Sequence, residues 1–159
     1  MKITILAVGK IKEAFYRDAV AEFQKRLGRY CKLEIVETTD EKTPENASAM
    51  ENRKILDIEG ERLLKQIRPD AYVAALALEG SMFDSVAFSE KIRLLGVNGT
   101  SHIVFVIGGS LGLSDAVLKR ADCLVSFSKM TFPHQLMRVI LMEQIYRSFR
   151  IMCHEPYHK

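Results

Sequence analysis

The stretch Ile103-Val104-Phe105-Val106-Ile107-Gly108-Gly109-Ser110-Leu111-Gly112 decides the fold. Consecutive apolar, mostly β-branched residues read as a strand buried on both faces, because a half-exposed strand would alternate with polar positions. The strand runs straight into a glycine-rich turn, and a helix starts near Ser114 and ends around Ala121. The pattern then repeats. Leu124 to Phe127 reads as a shorter strand, Ser128-Lys129-Met130-Thr131-Phe132-Pro133 as a loop, and about His134 to Met152 as a long apolar helix. Strands that hand over to helices through short loops build a mainly parallel sheet with helices on both faces.

Working outward, Lys2 to Gly9 is a second buried strand closed by glycine. Between Lys12 and Leu27, Phe15, Ala19, Phe23 and Leu27 recur every four residues and predict a helix with that face inward, ended by Gly28. Leu33 to Glu37 alternates as a half-exposed strand, and the polar segment from Thr38 to Ala47, with Pro44, reads as a mobile loop. Ser48 and Glu51 form a capping box for a helix reaching about Ile67. Tyr72 to Leu78 is another buried strand, which Glu79-Gly80 stops. Ser85 is placed to cap a short helix carrying Phe88, Ile92 and Leu95, which ends near Gly96. The expectation is an α/β chain with a five-stranded sheet, one domain over residues 1–159.

Composition narrows the setting. No apolar run approaches the roughly 20 residues of a membrane span, and Met1 to Val8 is too short for a signal peptide. Cys31, Cys123 and Cys153 are far apart and odd in number, as expected of reduced thiols in the cytoplasm. The net charge is +3, but residues 1–32 carry eight Lys/Arg against three acids, whereas residues 33–70 carry six against ten. Positive charge gathers towards both chain ends, which suits a polyanion lying on the first helix and the tail, or a solvated helix face.

The chemistry lies in the two C-terminal loops. Gly108–Gly112 lets backbone N–H and C=O groups approach a ligand closely, but it lacks the lysine of a P-loop and the spacing of a dinucleotide fingerprint. Taken alone it is compatible with a plain strand-to-helix turn. Ser128–Gln135 adds hydroxyls and apolar side chains at a neighbouring strand's end. In a parallel sheet both loops lie beyond the carboxyl ends of the strands, where ligands bind. Apolar walls with exposed amides favour an adenosyl ligand over a nucleoside triphosphate.

The segments Ile103–Ser110, Leu124–Gln135 and Tyr157-His158-Lys159, in this order, together with the opening Ile3–Gly9, resemble the ribosomal RNA large subunit methyltransferase H family, of the SPOUT class. The resemblance covers the whole chain. It implies a fold with a deep C-terminal trefoil knot, an exception to the rule against threaded loops. It also implies a cytoplasmic homodimer that uses S-adenosyl-L-methionine. The implied reaction is methylation of N3 of a pseudouridine in the helix 69 loop of large-subunit rRNA within the assembled ribosome, with neither DNA nor membrane as partner. Carried over by position, the cofactor contacts fall on Leu76, Gly108, Phe127, Ser128, Lys129, Met130, Thr131 and Phe132. The chain departs from the family pattern at Ala77, where an acid is expected, and at Ser81, where a lysine is frequent.

Methyl transfer to N3 requires an oriented acceptor and help for the departing imino proton. The candidates are His158 and Tyr157 in the tail, Arg147, His134 and Arg138. The tail is otherwise expected to be a disordered terminus. Arg147 follows Glu143 by four residues and could equally form an ordinary surface ion pair. Arg138, one turn after His134, could hold a phosphate or the cofactor carboxylate. Cys153, His154 and His158 lack a fourth ligand, and no metal is expected. The helix 134–152 is apolar on more than one face, which suits a second subunit. Two rivals remain: a non-catalytic ribosome-binding factor, and a nucleotide-binding protein using Gly108–Gly112 for phosphate.

Overall fold

A computed structural model describes all residues, Met1–Lys159. The elements are β1 (Lys2–Val8), α1 (Ala14–Leu27), β2 (Lys32–Thr38), α2 (Ala49–Leu64), β3 (Tyr72–Met82), α3 (Ser85–Val97), β4 (His102–Ile107), α4 (Asp115–Arg120), β5 (Cys123–Ser126) and α5 (His134–Met152). The five strands form one sheet in the order β2-β1-β4-β3-β5, every pair parallel.

Burial on both faces follows directly from the strand sequences. In β1, Ile3, Ile5 and Ala7 point into one core while Leu6 and Val8 point into another. In β4, Ile103, Phe105 and Ile107 share the first core, and Val104 and Val106 the second. The first lies under α1, α3 and α5, with Leu141, Met142 and Ile145 of α5 completely buried. Each such side chain contributes about 1.5–3 kcal/mol of burial. The second core lies under α2 and α4, through Leu63 and Val117. No helix is long and apolar enough to cross a membrane.

The expected elements are all present, with local differences. The capping box forms, Ser48 Oγ accepting from the Glu51 N–H and the Glu51 carboxylate accepting from the Ser48 N–H. Phe15, expected on the inner face of the first helix, is 64% exposed. That helix begins two residues later than the pattern suggests and is anchored by the expected Leu27 together with Val20. Asp84, not Ser85, caps α3 by accepting from the Ala87 N–H at 2.7 Å, which frees Ser85 to donate to Gln144 at 2.9 Å.

The informative difference is in β3, which does not stop at Glu79-Gly80. It continues to Met82, and its register against β5 slips so that both Leu76 and Ser81 face Val125. Residues 77–80 are thereby pushed out of the ladder. Gly80 returns so close to β5 that a Cβ would lie 2.7 Å from the backbone of Leu124 and Val125. Only glycine fits, so the bulge reads as a built feature.

The tail is ordered, against the alternative of a disordered terminus. Tyr30 and Arg150 both hold the Glu155 carboxylate, Arg150 donates to the Pro156 carbonyl at 2.8 Å, and Tyr157 packs edge-on against Tyr146.

Candidate active site

A cavity of about 400 Å³ opens where β3, β4 and β5 end, within the usual range of about 300–1,000 Å³ for small-molecule sites. Three backbone segments frame it. The β3 bulge supplies Leu76 to Glu79, the turn after β4 supplies Ile107 to Leu113, and the segment around the end of β5 supplies Val125 to Ser128 and Met130 to Phe132. Leu118 of α4 and His134 and Met137 of α5 complete the wall.

Each segment has a local cause. Gly108 turns so tightly that its Cβ would sit 2.3 Å from the Gly112 carbonyl oxygen. Gly112 adopts φ +88°, a left-handed conformation that favours glycine. Within the turn Gly109 and Gly112 pair as an antiparallel bridge, the Gly112 N–H donating to Gly109 O at 3.1 Å, while the N–H groups of Ser110 and Leu111 donate to no backbone acceptor. In the second loop Ser126 Oγ donates to Ser128 O at 3.0 Å, and Ser128 Oγ accepts from the Met130 N–H at 3.0 Å. These bonds fold the loop back on itself. Met130 is left 72% exposed at the rim, and Phe127 is held edge-on to Phe88.

The wall is thus mostly apolar side chain between two strips of backbone, with free amide donors on one strip. Such a donor set fits a flat heterocycle with a short polar tail and offers little to a polyphosphate, since no lysine or arginine lines it. An adenosyl group suits it: Leu76, Leu113, Leu118 and Phe127 could face a ring, and the free amides could meet its heteroatoms. His134 is the one imidazole on the wall. Burial first, and then nearby Arg138, lowers its pKa and keeps it neutral near pH 7. It sits at the first position of α5, whose N-cap Pro133 supplies no side-chain cap.

Of the residues assigned to the cofactor, Leu76, Gly108, Phe127, Ser128, Met130, Thr131 and Phe132 line this cavity. Lys129 does not; it is exposed, between lining neighbours. Sequence reasoning missed Leu78, Glu79 and Met137, the first two because Glu79-Gly80 reads as the end of β3 where the strand in fact bulges.

Arg138 corrects another expectation. It is 1% exposed and does not line the cavity. Its guanidinium pairs with Glu37 at 2.7 Å and donates to the carbonyls of Val8 and Gly9 at 2.9 and 2.8 Å. It therefore joins α5 to the ends of β1 and β2. Burial lowers its pKa and Glu37 opposes that.

Arg147, Tyr157 and His158 gather elsewhere. Arg147 lies ten residues beyond Met137 on α5, about 15 Å along the axis. Glu143 holds its guanidinium in a half-buried pair, with bonds of 2.5 and 3.0 Å. The Tyr157 ring stacks on that guanidinium at 4.7 Å, its hydroxyl donates to Glu143 at 3.1 Å, and His158 Nδ1 lies 3.4 Å from Arg147. Burial, then the Glu143 bond, raises the Tyr157 pKa, while Glu143 raises that of Arg147. No three His, Cys, Asp or Glu side chains converge with metal-binding geometry.

The chain's relatives agree with this architecture. The family described as "Predicted SPOUT methyltransferase" matches residues 1–158. A protein of Bifidobacterium adolescentis named ribosomal RNA large subunit methyltransferase H is 64% identical over 159 residues, the full length of both chains. One of the same name from Clostridium kluyveri is 58% identical, again over the full length of both. Among solved structures, a probable methylase family protein from Haemophilus influenzae aligns with TM-score 0.54 at 12% identity, covering 99% of this chain and 70% of that one, which bears on the fold alone. With a family match along nearly its whole length and relatives this similar, the chain belongs to the SPOUT methyltransferases, in the ribosomal RNA large subunit methyltransferase H family.

Proposed function

We propose that this chain is an S-adenosyl-L-methionine-dependent methyltransferase of large-subunit rRNA. We take its target to be N3 of a pseudouridine in the helix 69 loop of the assembled ribosome, and its form to be a cytoplasmic homodimer with one domain per chain. The observation that carries the reading is the cavity itself, mostly apolar in its side chains, without Lys or Arg, and lined by the turn whose Ser110 and Leu111 amides are unpaired. The names of the full-length relatives support the substrate class. The deep trefoil knot belongs to the same proposal; the segments after β4 and β5, which frame the cavity, are the ones it would involve.

S-adenosyl-L-methionine, when bound, supplies an electrophilic methyl group on a sulfonium. The residues that would hold it are Leu76, Gly108, Phe127, Ser128, Met130, Thr131 and Phe132, with Lys129 free at the rim to meet phosphate. The chain's remaining task is to place the base edge and take up the N3 proton. Arg147, braced by Glu143 and carrying Tyr157 and His158, is too far along α5 to reach the cavity of its own chain. It serves the reaction if a second subunit presents it. The apolar patch of Leu78, Met82, Phe83 and Val86, exposed beside the cavity, gives that subunit a surface.

Two measurements test the proposal. Calorimetry with S-adenosyl-L-methionine should show one site per chain, and absence of binding at millimolar concentration would sink it in favour of a non-catalytic ribosome-binding factor. Mass mapping of rRNA from a deletion strain, before and after complementation, should show a single methyl group lost and restored at the helix 69 pseudouridine. A change at any other nucleotide refutes the target assignment.

A further inference from the structure

Glu59, on the inner face of α2, is 4% exposed. Its Oε1 accepts from the Glu41 N–H at 3.0 Å, but Oε2 is buried and has no partner. Native proteins rarely leave a buried carboxylate oxygen unpaired, so this one asks for a reason. A Cβ on Gly109 would lie 3.2 Å from Oε2 and 3.6 Å from Oε1. The carboxylate therefore abuts the same glycine turn that lines the cavity, without lining the cavity itself. An acceptor without a donor thus lies beside the turn whose Ser110 and Leu111 N–H groups have no backbone acceptor.

Glu59 also holds a second segment. Arg62, one turn further along α2, donates to Thr39 O at 2.9 Å and pairs with Glu41 at 2.5 Å. Thr43 Oγ1 then lies 3.4 Å from Ser110 Oγ. The α2 helix thus fastens the 39–43 segment and touches the glycine turn through one carboxyl group.

We propose that Glu59 is a positioning residue for the cofactor turn: its free oxygen accepts a hydrogen bond from the main-chain N–H of Ser110 or Leu111 when the cavity is filled. Occupancy of the cavity is thereby coupled to the turn and to the 39–43 segment tied to the same carboxylate. The inference rests on reading the cavity as the adenosyl site. Glu59 acts through backbone and does not touch the cofactor. The two donors lie on different oxygens of the carboxylate; in a glutamine one of these positions is an NH2, which cannot accept from either the Glu41 N–H or the turn.

The charge state gives a second handle. Burial raises the Glu59 pKa; the Glu41 N–H lowers it, Asp40 and Glu41 raise it, and Arg62 lowers it. A new donor favours the ionised form, so affinity for the ligand should rise with pH as Glu59 ionises.

The test is calorimetry with S-adenosylhomocysteine on the wild type and Glu59→Gln, with thermal unfolding of each without ligand. Glu59→Gln should weaken Kd about tenfold, flatten the rise of affinity with pH, and leave the ligand-free unfolding midpoint nearly unchanged. Wild-type Kd and pH profile in Glu59→Gln overturn the proposal and leave the cofactor reading standing. A ligand-free destabilisation as large as the loss of affinity also overturns it, because the carboxylate's work would then be complete in the empty protein. Failure of the wild type to bind removes both.

Discussion

Adding one methyl group at Gly108 should disable the cavity from within. The Cβ of Gly108→Ala would stand 2.3 Å from the Gly112 oxygen and 2.6 Å from its carbonyl carbon. Carbon–oxygen contacts normally close at about 3.3–3.6 Å, so the Gly112 carbonyl must retreat by about 1 Å. Backbone on both sides resists. The Gly112 N–H is bonded to Gly109 O at 3.1 Å, and Gly112 already sits at φ +88°. Overpacking of this kind costs about 1–3 kcal/mol, and a 1 Å misplacement in a site can lower turnover about a hundredfold. Gly112→Ala is the control. Nothing lies within 4 Å of its Cβ, so only the left-handed backbone is penalised, at about 1–2 kcal/mol. Calorimetry with S-adenosylhomocysteine and single-turnover methylation should show Gly108→Ala with affinity at least tenfold below that of Gly112→Ala. Equal affinities, or wild-type binding by Gly108→Ala, would refute the reasoning that the turn's close approach shapes the site.

Other perturbations separate structural from functional groups. Arg138→Met should destabilise the fold by about 3–5 kcal/mol in urea titrations, since it leaves the carbonyls of Val8 and Gly9 without their donor and the Glu37 carboxylate without its counter-charge; a change below about 1 kcal/mol would contradict the brace. His102 is buried, with Nε2 2.9 Å from Thr4 Oγ1, and burial, then Lys2 and Arg68, lowers its pKa. The unfolded chain therefore binds the proton first, so stability should fall as pH drops through about 6.5. His102→Gln should lose that part of the slope; an unchanged slope assigns it elsewhere. Removing residues 157–159 should spare cofactor affinity and abolish turnover on ribosomes, and normal methylation by the truncated chain would remove Tyr157 and His158 from the mechanism.

Much of this molecule is legible in its sequence because burial on both faces leaves a plain signature. The runs Lys2–Gly9 and Ile103–Ile107 contain almost no polar residue, and the long apolar helix begins and ends where expected, at His134 and Met152. The loops after β4 and β5 are readable because glycines and a proline punctuate them. The features that escape depend on contacts between distant segments. Phe15 has the right spacing for an inward face, but the packing of α1 turns it outward. Glu79-Gly80 looks like a strand terminus, and only the approach of Gly80 to β5 shows that the strand resumes. Arg138 carries no mark that separates a brace from a ligand contact, because its partners lie some hundred residues away. Glu59 resembles any surface acid on a charged helix until α2 is laid against the glycine turn.

The helix α5 begins at the cavity with His134 and carries Arg147 near its far end. Over 19 residues it is about 28 Å long, and each added residue advances the rest of the chain by about 1.5 Å and rotates it by about 100°. Its length is therefore a ruler and its phase a compass for the tail. A one-residue insertion between Met142 and Glu143 would keep every side chain of the cavity in place. It would also swing Tyr146, Arg147 and the tail with Tyr157 and His158 a quarter-turn or more away from Phe23 and Tyr30. The position of the tail relative to the cavity is therefore set by the residue count of α5 as much as by its side chains.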